Sequence, residues 1–133
     1  TSLKIGRRLT STVAAVYPNH RTKKIASMVK TRSTRGHHAV MFGALSAHLN
    51  ISQKECIQVF LYTWLSTVVS AAIRLRIIGP IEGQQQITSQ IPLLAEVANS
   101  ILSRRAEDLA PSSPGLDIRL MTHEKSYSRL FIT

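Results

Sequence analysis

Cys56-Ile57-Gln58-Val59-Phe60-Leu61-Tyr62-Thr63-Trp64-Leu65-Ser66-Thr67-Val68-Val69-Ser70-Ala71-Ala72-Ile73 is a run of 18 residues without a charge. It is too long for a strand and too poor in polar groups for a helix lying in water, so the pattern predicts a long, mostly buried central helix over Ser52 to Gly79. Ser52 and Glu55 have the spacing of a capping box, with Ile51 and Cys56 placed as a hydrophobic staple. Loss of the Ser52 cap is expected to cost about 1 kcal/mol. Gly79, able to turn left-handed, and Pro80, unable to continue a helix, are expected to end it. Ile57, Leu61, Trp64, Leu65, Val68, Ala72 and Leu75 recur at helical spacing as a core face. Thr63, Ser66, Thr67, Ser70 and Arg74 form a second, small and polar stripe whose hydroxyls are expected to bond back to the preceding turn.

A membrane span needs about 18 apolar residues at the least. Against it stand Gln58, Tyr62 and four Ser/Thr residues inside the run, with Arg74 and Arg76 just after it. The reading is therefore a protein without a membrane segment.

Outward from this helix the chain keeps to helical patterns. Leu3, Ile5, Leu9, Val13 and Val16 suit a first helix stopped by Pro18 and Asn19. Ile25, Met28 and Val29 sit in a shorter basic helix from about Thr22 to Thr31, and Arg32 to Gly36 reads as a loop. His37 and His38 open the next helix, which carries Val40, Ala44 and Ala47 on one face and ends at Asn50. On the other side a helix begins near Glu82, is kinked or restarted by Pro92, and runs amphipathically through Leu94, Val97, Ala98, Ile101 and Leu102 to about Leu109. Pro111 to Gly115 forms a linker. Residues 116–133 hold a short helix around Ile118 to His123 and then an apolar, charged tail. With no alternating segment and no repeat, the fold class is all-α: a helical bundle in a single domain, 1–133, with a C-terminal interaction tail at 116–133.

The composition agrees. Of 133 residues 44% are hydrophobic but only 5% aromatic, so the core is aliphatic. One cysteine, Cys56, forms no internal disulfide and fits a reducing, cytoplasmic compartment. The chain begins at Thr1 without a signal-peptide pattern and reads as a fragment or a processed chain. Its net charge of +10 is unevenly placed, because residues 1–54 hold ten Lys or Arg and no Asp or Glu. Such a block is either a solvated face or a seat for an acidic partner, nucleic acid or an anionic surface. A basic helical nucleic-acid-binding module is thus the alternative function, although Tyr17 alone offers no stacking platform for single strands.

Nothing in the sequence marks an enzyme. There is no glycine-rich phosphate loop, no H-E-x-x-H and no pair of cysteines at metal spacing. Five histidines (His20, His37, His38, His48 and His123) could ligate a metal, but His37 and His38 diverge by about 100° on a helix. No metal site and no catalytic residue are assigned.

Four segments, in order, resemble one family: His37-His38-Ala39-Val40-Met41-Phe42-Gly43-Ala44; Tyr62 to Leu75; Ile78-Gly79-Pro80 with Gly83-Gln84; and His123-Glu124-Lys125-Ser126-Tyr127-Ser128-Arg129-Leu130-Phe131. Jointly they are similar to the C-terminal half, or somewhat more, of the urease accessory protein UreF. The resemblance implies an all-α, non-catalytic scaffold or chaperone in nickel insertion, bridging a UreD/UreH-like accessory protein and a UreG-like GTPase for apo-urease. It also implies a homodimer, no nucleic acid and no cofactor of its own, with nickel and GTP acting through the partners. Carried over onto this chain, it places partner contacts at Glu124, Tyr127, Arg129, Leu130 and Phe131, and at the helix opened by His37 and His38. It further implies an ion path along Thr63, Ser66, Ser70 and Arg74.

Overall fold

The computed structural model describes residues 2–105 and 107, and among these every regular element is an α-helix. The order is α1 (Ser2–Val16), α2 (His20–Lys30), α3 (His38–His48), α4 (Gln53–Arg74) and α5 (Pro80–Leu102). Contacts divide the chain into residues 1–103 and 104–133. All five helices belong to the first unit; in the second, Arg105 pairs with Glu107 at 3.0 Å. The expected helix around Ile118 to His123 and the tail at 116–133 lie outside the described residues.

Local chemistry explains where the helices begin. Asn19 Oδ1 accepts from the Thr22 amide at 2.9 Å, and Thr22 Oγ1 accepts from the Asn19 amide at 3.2 Å, which closes a capping box at α2. The same hydroxyl donates to the Tyr17 carbonyl at 2.7 Å, tying the end of α1 to the start of α2. Because Thr22 is fully buried, the shape-matched change Thr22→Val removes the bonds of its hydroxyl, while the Asn19 amide and the Tyr17 carbonyl stay bonded to each other at 2.9 Å. An expected loss of about 1 kcal/mol can be read by urea denaturation, and an unchanged midpoint would show the turn is held by other contacts.

At α4 the predicted box forms, with the Glu55 amide donating to Ser52 Oγ at 3.3 Å and the Glu55 carboxylate accepting from the Ser52 hydroxyl and amide at 2.6 and 3.1 Å. Those bonds favour the charged form and lower the Glu55 pKa. Their contribution is present above the ordinary carboxylate pKa and fades as pH falls through the lowered one.

The helices pack in sequence: α1 on α2 and α3, α3 on α4, and α4 on α5. Gly6 lets α1 approach the backbone of Gly36, His37 and His38, and the His38 amide donates to Ser2 Oγ at 3.2 Å across that contact. Among the described residues, Val29, Met41, Leu45, Val69, Ile87 and Ala98 are the buried hydrophobic ones. At the α4–α5 crossing, Gly83 lies against Val69 and Ile73.

Three expectations need correction. The central helix ends at Arg74 rather than Gly79, and Arg76, not Gly79, takes the left-handed conformation at φ 56°. Gly79 is extended, at φ −76°, because the residue before a proline is pushed out of the helical region; Pro80 then serves as the first residue of α5. Of the two expectations at Pro92, the restart is overturned: α5 runs as one helix from Pro80, with Pro92 inside it, and ends at Leu102 rather than Leu109. Finally, α4 is long and central in the chain but not mostly buried: Val69 is its single fully buried residue, and Trp64 is 63% exposed. Its apolar character runs round the whole helix, which reads as full burial, whereas α3 and α5 cover only part of its circumference.

Candidate functional site

The residues that could meet partners are carried by α3, α4 and α5. His37 is the N-cap of α3, exposed and without a side-chain capping bond, and His38 is the first helical residue. The two rings part company, as their spacing requires. The His38 ring packs against Phe42 and Phe60, with centroids 6.1 and 5.4 Å away, and Phe42 meets Phe60 at 5.4 Å. This cluster joins α3 to α4 and borders a cleft of about 420 Å³ lined by Phe42, Gly43, Cys56, Ile57, Phe60 and Ile101 among others. Cys56 there is a free, half-buried thiol. Sequence reasoning missed the Phe42–Phe60 contact; the spacing of the two residues along different helices carries no signal of it.

A second apolar cleft, of about 290 Å³, opens between α4 and α5 and is lined by Gln58, Val59, Tyr62, Ile91, Leu94 and Ala95. Ile77 and Ile81, at the turn between these helices, are 70% and 77% exposed. Among the described residues, α4 is the helix long and apolar enough to cross a membrane by length and composition alone. Its capped start and its packing on α3 and α5 account for it as one helix of the bundle.

Thr63, Ser66, Ser70 and Arg74 do come together, with Tyr62 and Thr67, along an open groove of about 350 Å³ on α4. Two hydroxyls bond back as expected: Thr63 donates to the Val59 carbonyl and Thr67 to the Thr63 carbonyl, each at 2.8 Å. The Arg74 guanidinium donates to the Ser70 carbonyl at 3.3 Å. Ser66 differs, because its Oγ is buried with no hydrogen-bond partner. The groove lies on an exposed face, not inside the bundle.

Glu124, Tyr127, Arg129, Leu130 and Phe131 lie outside the described residues. Among the described residues no three His, Cys, Asp or Glu side chains converge as a metal would require. His20 and His48 share a cleft with Arg21 and Lys24, a setting rich in cations rather than carboxylates.

The family model described as UreF matches residues 1–90 of the chain. The curated relatives include the urease accessory protein UreF of Bacillus sp. (strain TB-90), 29% identical over 130 residues, which are 98% of this chain and 57% of the relative. That of Sporosarcina pasteurii is 28% identical over 132 residues, 99% of this chain and 65% of the relative. That of Picosynechococcus sp. is 34% identical over 95 residues, 71% of this chain and 42% of the relative. The chain thus spans about half the length of the curated relatives it matches. No solved structure matches it.

Proposed function

The chain belongs to the UreF family, and from that premise we propose that it acts in urease maturation as a non-catalytic, cytoplasmic scaffold for nickel insertion. In this reading it bridges a UreD/UreH-like accessory protein and a UreG-like GTPase, holding them against apo-urease and pairing with a second copy of itself. Nickel binding and GTP hydrolysis belong to the partners. The observation that supports a scaffold is the apolar surface on α4 and α5: Trp64, Ile77 and Ile81 stand mostly exposed, and two apolar clefts open along the first half of α4. Apolar area of this kind on a folded chain marks an interaction surface, and contacts made through it resist salt, whereas exposed ion pairs do not.

The test is co-expression with the UreD-like protein and the UreG-like GTPase, followed by capture through this chain in low and in high salt. Retention of both partners in high salt is the expected result. Loss of either from an intact, soluble chain would overturn the bridge.

The groove along Thr63, Ser66, Ser70 and Arg74 is the proposed ion path. Replacing Ser66 and Ser70 by Val is well suited to test it. The Ser66 hydroxyl is buried with no partner to lose, so removing it costs the fold little, while an ion moving along the groove loses the exposed Ser70 oxygen as a ligand. Urease activation in a nickel-limited assay is expected to fall with the scaffold complex intact. Unchanged activation would eliminate the path.

A further inference from the structure

The ten cations of residues 1–54 are carried mostly by α1, α2 and the loop after α2. Arg7 of α1, Lys30 of α2 and Arg32 just beyond it line a cleft of about 460 Å³ between the two helices, with Ser11 and Ser27 beside them and Val29 and Ala26 beneath. On the other side of α2, Arg21 and Lys24 line a second cleft, of about 430 Å³, with His20, Ile25, Met28 and the α3 residue His48. Arg21, Lys24, Ile25 and Met28 follow one another at helical spacing, so cations and apolar side chains share one stripe.

The position of Arg32 is fixed by the fold. Its backbone is left-handed, at φ 60°, a conformation that side chains other than glycine rarely adopt. Hydrogen bonds around it hold that turn: Thr31 Oγ1 donates to the Ser27 carbonyl at 3.0 Å, Ser33 Oγ to the Met28 carbonyl at 2.9 Å, and the Arg32 amide to the Val29 carbonyl at 3.3 Å. Gly36, at φ 74°, then brings the loop against α1 at Gly6. Neither cleft has a carboxylate in its lining. Among the described residues, no acidic group stands within ion-pair distance of Arg7, Arg21, Lys24, Lys30 or Arg32.

We infer that the cleft between α2 and α3 is a docking surface for an acidic, amphipathic segment of a protein partner, with carboxylates meeting Arg21 and Lys24 and apolar side chains settling on Ile25 and Met28. Charge complementarity selects an acidic occupant. The apolar stripe between the cations then favours a protein over nucleic acid, because a phosphate backbone offers charge but little to cover Met28, which is 41% exposed. No Phe, Tyr or Trp ring lines either cleft to stack a base. The inference stands on this face alone and does not depend on the urease reading.

The experiment uses the full chain and a labelled acidic peptide of about 20 residues, with Glu on one helical face and Leu on the other, beside a duplex of about 20 base pairs and inorganic pyrophosphate as competitors. The peptide is expected to bind most tightly. Affinity should fall at least about fivefold in Arg21→Gln/Lys24→Gln, the sum of two modest exposed pairs, and should hold in Arg7→Gln/Lys30→Gln/Arg32→Asn, whose cleft lies on the other side of α2, with Asn chosen because it tolerates the left-handed turn. It should also fall in Met28→Gln, which keeps every charge. Lys54→Gln/Arg104→Gln, which removes charge elsewhere, should leave it unchanged. Tighter binding of the duplex would reassign the face to nucleic acid, and displacement of the peptide by pyrophosphate with no effect of Met28→Gln would reduce it to an anion site. Equal losses in the Lys54/Arg104 control would reduce it to bulk charge. Since the assay contains no urease component, its failure and that of the scaffold reading are read separately.

Discussion

Gly6→Ala is expected to lower the thermal midpoint of the chain by about 10 °C, a large effect for the addition of one methyl group. A Cβ at Gly6 would collide with the Gly36 carbonyl oxygen and would stand 2.9 Å from both the His37 carbonyl carbon and the His38 amide nitrogen. All three are backbone atoms, which have no rotamer to change. Relief requires moving the loop that seats α3 on α1, along with the His38 amide to Ser2 Oγ bond. Overpacking of this kind costs about 1–3 kcal/mol and more where backbone must shift, and the gain in helix propensity from Gly to Ala, about 1 kcal/mol, offsets only part of it. A net loss of about 2 kcal/mol follows. Gly83→Ala is the control: its new Cβ would meet Ile73 Cδ1, the far end of a flexible side chain, at 2.7 Å and the stiffer Val69 Cγ1 at 3.0 Å, and none of its three nearest atoms is backbone. Gly83→Ala should therefore change the midpoint by less than half as much. Equal midpoints for Gly6→Ala and the parent chain would mean that α1 does not pack as described.

The contrast between these two glycines shows what can and cannot be read along a chain. The all-α class and the capping box of Ser52 and Glu55 are legible because helix patterns and caps are local, set within one turn. Even so, Asn19, which reads as a stop for α1, is the cap of α2, since the same residue types end one helix and begin the next. The end of α4 is misleading for a related reason. Gly79 has the conformational freedom to terminate a helix, but Pro80 claims it for the start of α5, and the left-handed turn moves back to Arg76. Burial is the least legible property. A helix that is apolar on every side specifies that it should be covered, not by what, and Trp64 shows that among the described residues the cover is incomplete. The candidate site divides similarly. Thr63, Ser66, Ser70 and Arg74 group together in sequence and in space because they share one helical stripe. Arg7, Lys30 and Arg32 are visible in the sequence only as charge, because their cleft depends on how α1 meets α2, which no local spacing encodes.

Phe131→Ala is expected to weaken capture of the UreD-like partner by at least about 1 kcal/mol, roughly fivefold in dissociation constant. Tyr127 and Arg129 are of the residue types that dominate binding energy, Leu130 and Phe131 add apolar area, and all four lie in the segment that resembles UreF, His123 to Phe131. An aromatic ring desolvated at the centre of a contact loses both its buried area and its packing when truncated. The informative comparison is Trp64→Ala. That ring is 63% exposed on α4, so its removal costs the fold little, and any effect on capture reports an interface at α4. A loss in Phe131→Ala with no change in Trp64→Ala places the UreD-like contact on the tail and leaves the α4–α5 surface for another protein of the assembly. The opposite pattern moves that contact to the bundle and removes the tail assignment. Losses in both, with coupling in the double variant beyond the sum of the singles, would require tail and helix to meet the partner as one surface.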